Sequence, residues 1–234
     1  MLDCSHRLHA APPCASCCGN SASRGSEANI LVLVDASGSV GQGAVDFALG
    51  KGLPAMARSL IAASARSDIA YSVGAMAFAA HVREILPMMD VRAFDPRRLP
   101  CDLRASGATR MEKALWRALE EIDAAKARQV GAGIACAGSF IVTVTDGRPT
   151  DERGALRKLS LHVARELADR NRTGSCGTFA IGVGRSETTV LRQLAPVASR
   201  VVRPAGGLSV DCWRAACRFI IAASFSAGNV RLGK

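Results

Sequence analysis

Two stretches of this chain, NILVLVD at residues 29–35 and GSFIVTVTD at 138–146, run through apolar residues and stop at an aspartate. A strand with one wet face alternates apolar and polar residues. A run that stays largely apolar must be covered on both faces. A parallel sheet held between two helical layers gives that cover, so these two runs narrow the fold more than any other feature.

The rest of the chain alternates accordingly. DIAYSVGAMAF (68–78) reads as a strand, with HVREIL (81–86) returning as its hairpin partner around Ala79 and Ala80. A loop carrying Pro87, Pro96 and Pro100 follows. GTFAIGVG (177–184) is a further strand, and SRVVRP (199–204) a short last one closed by Pro204. Between them lie helical periods. Val45, Leu49, Leu53, Met56 and Leu60 recur every three or four residues, with an irregularity expected near Pro54 and its neighbouring glycines. MEKALWRALEEIDAAKA (111–127) lines Leu115, Leu119 and Ile122 along one face. ALRKLSLHVARELADR (155–170) places Leu156, Leu159, Val163 and Leu167 in step, and TTVLRQLA and DCWRAACRFIIAASF complete the set. The fold class is α/β: a doubly wound, mostly parallel sheet with helices on both faces.

One domain over residues 29–224 accounts for this pattern. Residues 1–28 show no period and read as a Cys-rich flexible tail ending in a polar linker, and 225–234 as a C-terminal tail. Four of the nine cysteines, Cys4, Cys14, Cys17 and Cys18, fall in the first eighteen residues. They contain one C-x-x-C, the minimal hint of a zinc site. The other five are scattered, as small core residues are. No apolar run reaches membrane-spanning length and the start has no secretory h-region, so the expectation is a cytoplasmic protein without a membrane role. The formal net charge is +10, from 30 Lys and Arg against 20 Asp and Glu. The cations are spread through helices and aromatics make up only 4%, which speaks against nucleic acid and leaves an acidic protein partner.

Ligands in such sheets sit beyond the carboxyl ends of the strands, where the strand order reverses. VDASGSV (34–40) lies there. Asp35, Ser37 and Ser39 can converge if the backbone curls, with Gly38 permitting the curl. A carboxylate with two hydroxyls is a hard-oxygen set suited to Mg²⁺, Mn²⁺ or Ca²⁺. Two further residues fall at comparable element ends. Thr109 precedes the clearest helix, and Asp146 ends the 138–146 run ahead of Gly147. Each also has a local reading, Thr109 as a helix cap and Asp146 as a turn former.

Together these pieces resemble a known family. D-x-S-x-S, a threonine in a G-x-T setting before a helix, and T-D-G after a strand resemble the metal-ion-dependent adhesion site, or MIDAS, of von Willebrand factor type A domains. They occur in the family's order, over residues 29 to about 224. DASGSV…GATRMEKAL…FIVTVTDGRPTD looks most like the vWA proteins of bacterial tellurium-resistance operons. The resemblance implies a Rossmann-like sheet with one antiparallel edge strand, which HVREIL fits. It implies a divalent ion held by Ser37 and Ser39, by Asp35 and Asp146 directly or through water, and by Thr109 once a ligand is engaged. It further implies that the ion binds a carboxylate from a partner protein, in an adaptor role within a stress response.

Arg110, Arg148 and Arg185 flank the same loops and are expected to form a basic rim steering an acidic segment to the ion. Other chemistries fail on residues. A haloacid-dehalogenase-like phosphatase needs an acid where Ser37 stands. The phosphate-binding and dinucleotide glycine patterns break at Val45 and Glu187. The G-x-S-x-G elbow is absent. His81 and His162 are the candidate histidine bases, with His162 on the LSLHVARE helix. The alternative to a binding domain is a metal-dependent hydrolase or phosphatase using the same ion; it needs a general base, and Asp151 is the one spare acid near Asp146.

Overall fold

The computed structural model describes residues 25–151 and 155–231. The tail cysteines Cys4, Cys14, Cys17 and Cys18 lie outside the described residues. Strand β1 (Ser26–Asp35) pairs in parallel with β2 (Ile69–Phe78) on one side and β4 (Ala135–Thr145) on the other. β3 (Val82–Asp90) runs antiparallel to β2 at the edge. β5 (Gly177–Gly182) and the two-residue β6 (Val201–Val202) extend the other side in parallel, giving the order β3-β2-β1-β4-β5-β6. The sheet is mixed, mostly parallel, with one antiparallel edge strand.

The continuous apolar runs are explained by the two cores. Ile30, Val32 and Val34 join one core cluster and Leu31 and Leu33 the other, so alternate side chains of β1 enter opposite layers and neither face is wet. The first layer packs helix α2 (Leu53–Ser64) and helix α6 (Val210–Arg231) on the sheet. The second packs α3 (Met111–Gly131), α4 (Leu161–Thr173) and α5 (Thr188–Leu194). The irregularity expected near Pro54 is a π-helical turn at Ala48–Gly52, joining the short α1 (Gln42–Phe47) to α2. A Cβ on Gly52 would stand 2.2 Å from the indole of the fully buried Trp213, so glycine there lets α6 approach.

Several element bounds differ from those the sequence pattern suggests. β1 begins at Ser26 rather than Asn29; the polar start is held in the sheet, where Ser72 donates to the Glu27 carboxylate. Pro87 lies inside β3, which tolerates it because an edge strand needs fewer ladder donors. α4 begins at Leu161, capped by Ser160, whose hydroxyl accepts from the Val163 amide at 3.4 Å. Leu156 therefore belongs to no helix face; it bridges Thr150 and is 71% exposed. The loop curls at Gly38, and Gly41 (82°) and Gly107 (76°) nearby take positive φ. α6 also continues through Arg231, past residue 224.

Candidate metal site at the sheet switch point

β1 is where the strand order turns back: β2 follows on one side, β4 on the other. Val34 is in register with Val144, so Asp35 and Thr145 leave the sheet side by side. The Thr145 hydroxyl donates to Asp35 Oδ2 at 2.5 Å and accepts from the Gly147 amide at 2.9 Å. The Ser37 amide donates to Asp35 Oδ1 at 2.9 Å, which fixes the curl of the loop. Ser37 Oγ then stands 3.3 Å from Ser39 Oγ. Ser37 is fully buried, whereas Ser39 is exposed at the rim.

The loop before α3 closes on the same point. Gly38 donates to the Gly107 carbonyl at 3.3 Å, and Ser106 donates to the Ala36 carbonyl at 2.8 Å. Thr109 is buried and strapped to the loop after β4: its amide donates to Thr150 Oγ1 at 2.6 Å, and the Thr150 amide donates to its carbonyl at 3.0 Å. The N-cap of α3 is Arg110, with no side-chain capping bond, and Thr109 stands one residue ahead of it. Asp146 does form its local turn, accepting from the Arg148 amide at 3.0 Å, and its carbonyl accepts from the Glu187 amide at 2.8 Å. The DxSxS loop is thus bonded directly to the loop of Thr109, and through Thr145 to the strand end that carries Asp146. Sequence reasoning missed Thr145. Its hydroxyl matters because of cross-strand register, which no spacing within one strand reveals.

The electrostatics of this corner are unusual. Asp35 is 1% and Asp146 4% exposed. No basic side chain among the described residues pairs with either. Burial pushes the Asp35 carboxyl up to about 6, against the bonds from Ser37 and Thr145 that favour the anion, and the neighbouring Asp146 charge adds to the rise. Two neighbouring buried acids with no basic partner among the described residues fit a site for a cation. The donors are all oxygen, and among the described residues no three His, Cys, Asp or Glu side chains converge, so the set fits a hard divalent ion rather than a thiolate- or imidazole-bound one.

The family model for the von Willebrand factor type A domain matches residues 29–205. The chain belongs to the von Willebrand factor type A domain family. No curated protein matches this vWA chain. Among solved structures, proximal thread matrix protein 1 of the mussel byssus superposes with a TM-score of 0.55 at 16% identity, over 86% of this chain and 47% of the mussel chain. A second structure of that protein has zinc in its MIDAS motif. The manganese-loaded TRAP protein of Plasmodium vivax gives 0.54 at 20% identity, over 85% of this chain and 74% of that one. A vWA protein of Catenulispora acidiphila gives 0.54 at 19% identity, over 85% and 43%. This chain therefore spans about half the length of two of these relatives, and at such identities the likeness speaks for the fold.

Arg110, Arg148 and Arg185 sit on loops at the carboxyl ends of the strands, before α3, after β4 and after β5. Arg148 and Arg185 are exposed. Asp151 is engaged by Arg157, at 3.0 Å. His162 lies exposed on α4 with its ring 5.0 Å from that of Trp116, and His81 lies exposed in the β2–β3 turn. Among the described residues no helix is long and apolar enough to cross a membrane.

Proposed function

We propose that this vWA domain binds a protein partner through a divalent ion, Mg²⁺ or alternatively Mn²⁺ or Ca²⁺. Asp35, Ser37, Ser39, Thr109 and Asp146 would hold the ion, and a carboxylate of the partner would complete its shell. The observation that carries this reading is the pair of buried carboxylates, Asp35 and Asp146, set among hydroxyls with no cationic partner among the described residues.

The ion would supply a positive centre able to accept a foreign carboxylate. The chain's residues would set its geometry: Ser37 and Ser39 through hydroxyls held 3.3 Å apart, Thr145 by orienting Asp35, and Thr150 by strapping Thr109 in place. Hydroxyls add no charge, so two acids leave the ion receptive to a third, which is how a partner's Asp or Glu gains affinity. The relatives with manganese or zinc support a site of this kind. The exposed Arg148 and Arg185, with Arg110, would steer an acidic segment towards it. A hydrolase needs a base beside the ion, and the engagement of Asp151 by Arg157 argues for binding over catalysis. A place in a bacterial tellurium or chemical stress response, and in the cytoplasm, rests on sequence resemblance alone.

The test is a pull-down with the whole chain in Mg²⁺, repeated with chelator and with Ser37→Ala. Proteins retained by wild type only in Mg²⁺ support the reading. Identical retention in all three arms contradicts it.

A further inference from the structure

A groove of about 600 Å³ opens beside Thr109, between the first turns of α3 and the segment after β4. That volume is in the range of ligand-binding clefts. Its wall is not neutral. Arg110 and Lys113 come from the α3 side, and Arg157 and Lys158 from the segment before α4. Trp116, half-buried, forms an aromatic wall.

The two acids along the groove are already engaged. The Glu112 carboxylate accepts from the Ser160 amide, and Asp151 accepts from the Ala155 amide at 3.0 Å and pairs with Arg157. Lys113 and Lys158 are exposed and have no acidic partner among the described residues. Leu156 and Leu161, 71% and 62% exposed, flank the Lys158 side in sequence. An apolar wall, two uncommitted ammonium groups and a mouth at Thr109 describe a recognition surface with a defined charge preference.

We propose that this groove takes the stretch of the partner next to the ion-binding carboxylate, and that this stretch is acidic and carries an aromatic or long apolar side chain for Trp116. The inference rests on the metal-dependent reading of the site. It shifts the specificity surface from the expected arginine rim to one side of the ion: Arg110 belongs to both, whereas Arg148 and Arg185 do not line the groove. Charge complementarity selects the occupant. A basic segment would meet the ammonium groups of Lys113 and Lys158, and a neutral one would leave them without partners.

The experiment uses the full chain with Mg²⁺ and two fluorescein-labelled nine-residue peptides. Each has a central aspartate and one phenylalanine; one carries glutamates on both sides of the aspartate and the other carries glutamines. Affinity is read by anisotropy, and Mg²⁺ uptake by calorimetry, for wild type and for Lys113→Glu/Lys158→Glu. Wild type should bind the glutamate peptide at least about tenfold more tightly than its twin, and the double variant should lose that preference. Mg²⁺ uptake by the variant should be no weaker, because the change adds negative charge near the ion. Equal affinity of wild type for both peptides, binding of neither, or an unchanged preference in the variant overturns the groove assignment. If wild type takes up no Mg²⁺ at all, the underlying metal reading has failed instead.

Discussion

Asp35 concentrates the physics of the site in one side chain. Its carboxyl is pushed up to about 6 by burial, with Asp146 adding to the rise. Between about pH 4 and 6 the folded protein holds a proton that the unfolded chain has released. This group's contribution to stability is therefore present at low pH and is lost as pH rises through 6, by roughly 3 kcal/mol. Asp35→Asn removes the buried charge, so the metal-free variant should be more stable than wild type at pH 7 and closer to it at pH 4, measured by urea unfolding in chelator. The same variant should gain nothing from Mg²⁺. Wild type should gain about 3 kcal/mol at a hundredfold excess over the dissociation constant at pH 7, and less at pH 5 where protons compete. An Asp35→Asn protein less stable than wild type at pH 7 without metal would remove the electrostatic argument.

At the scale of elements, what the sequence made legible and what it hid have separate causes. The twin apolar runs of β1 and β4 are visible because burial on both faces leaves no polar alternation. Asp35, Ser37, Thr109 and Asp146 could be picked out because each sits where an element ends. Long-range pairing hid the rest. The Thr145 hydroxyl meets Asp35 through the β1–β4 register, and Gly52 matters only because Trp213 arrives from a helix about 160 residues later. The early start assigned to α4 followed a leucine period that Ser160 interrupts by capping. Two measurements check these readings. Gly52→Ala should cost about 1–3 kcal/mol by overpacking against the Trp213 indole, visible in the urea midpoint and in the emission of that tryptophan; an unchanged midpoint would contradict the packing. Leu159→Ala should cost about 2–5 kcal/mol, while Leu156→Ser should stay within about 0.5 kcal/mol, although one helical period had joined them.

At the scale of the whole molecule, two buried carboxylates, Asp35 and Asp146, lie at the carboxyl end of the sheet in a chain of net charge +10. Arg110, Arg148 and Arg185 lie on loops at the same end of the sheet. Replacing Arg110, Arg148 and Arg185 together by Ala should slow association with an acidic partner at low salt, and the difference should shrink at high ionic strength. An association rate that does not change at low salt would strip the rim of its steering role. The central claim is simpler than any of these. Calorimetric titration of the metal-free chain with Mg²⁺ at pH 7 should show one bound ion per molecule, abolished by Ser37→Ala and by Asp146→Ala. No uptake by wild type, or uptake that survives both substitutions, would contradict the account.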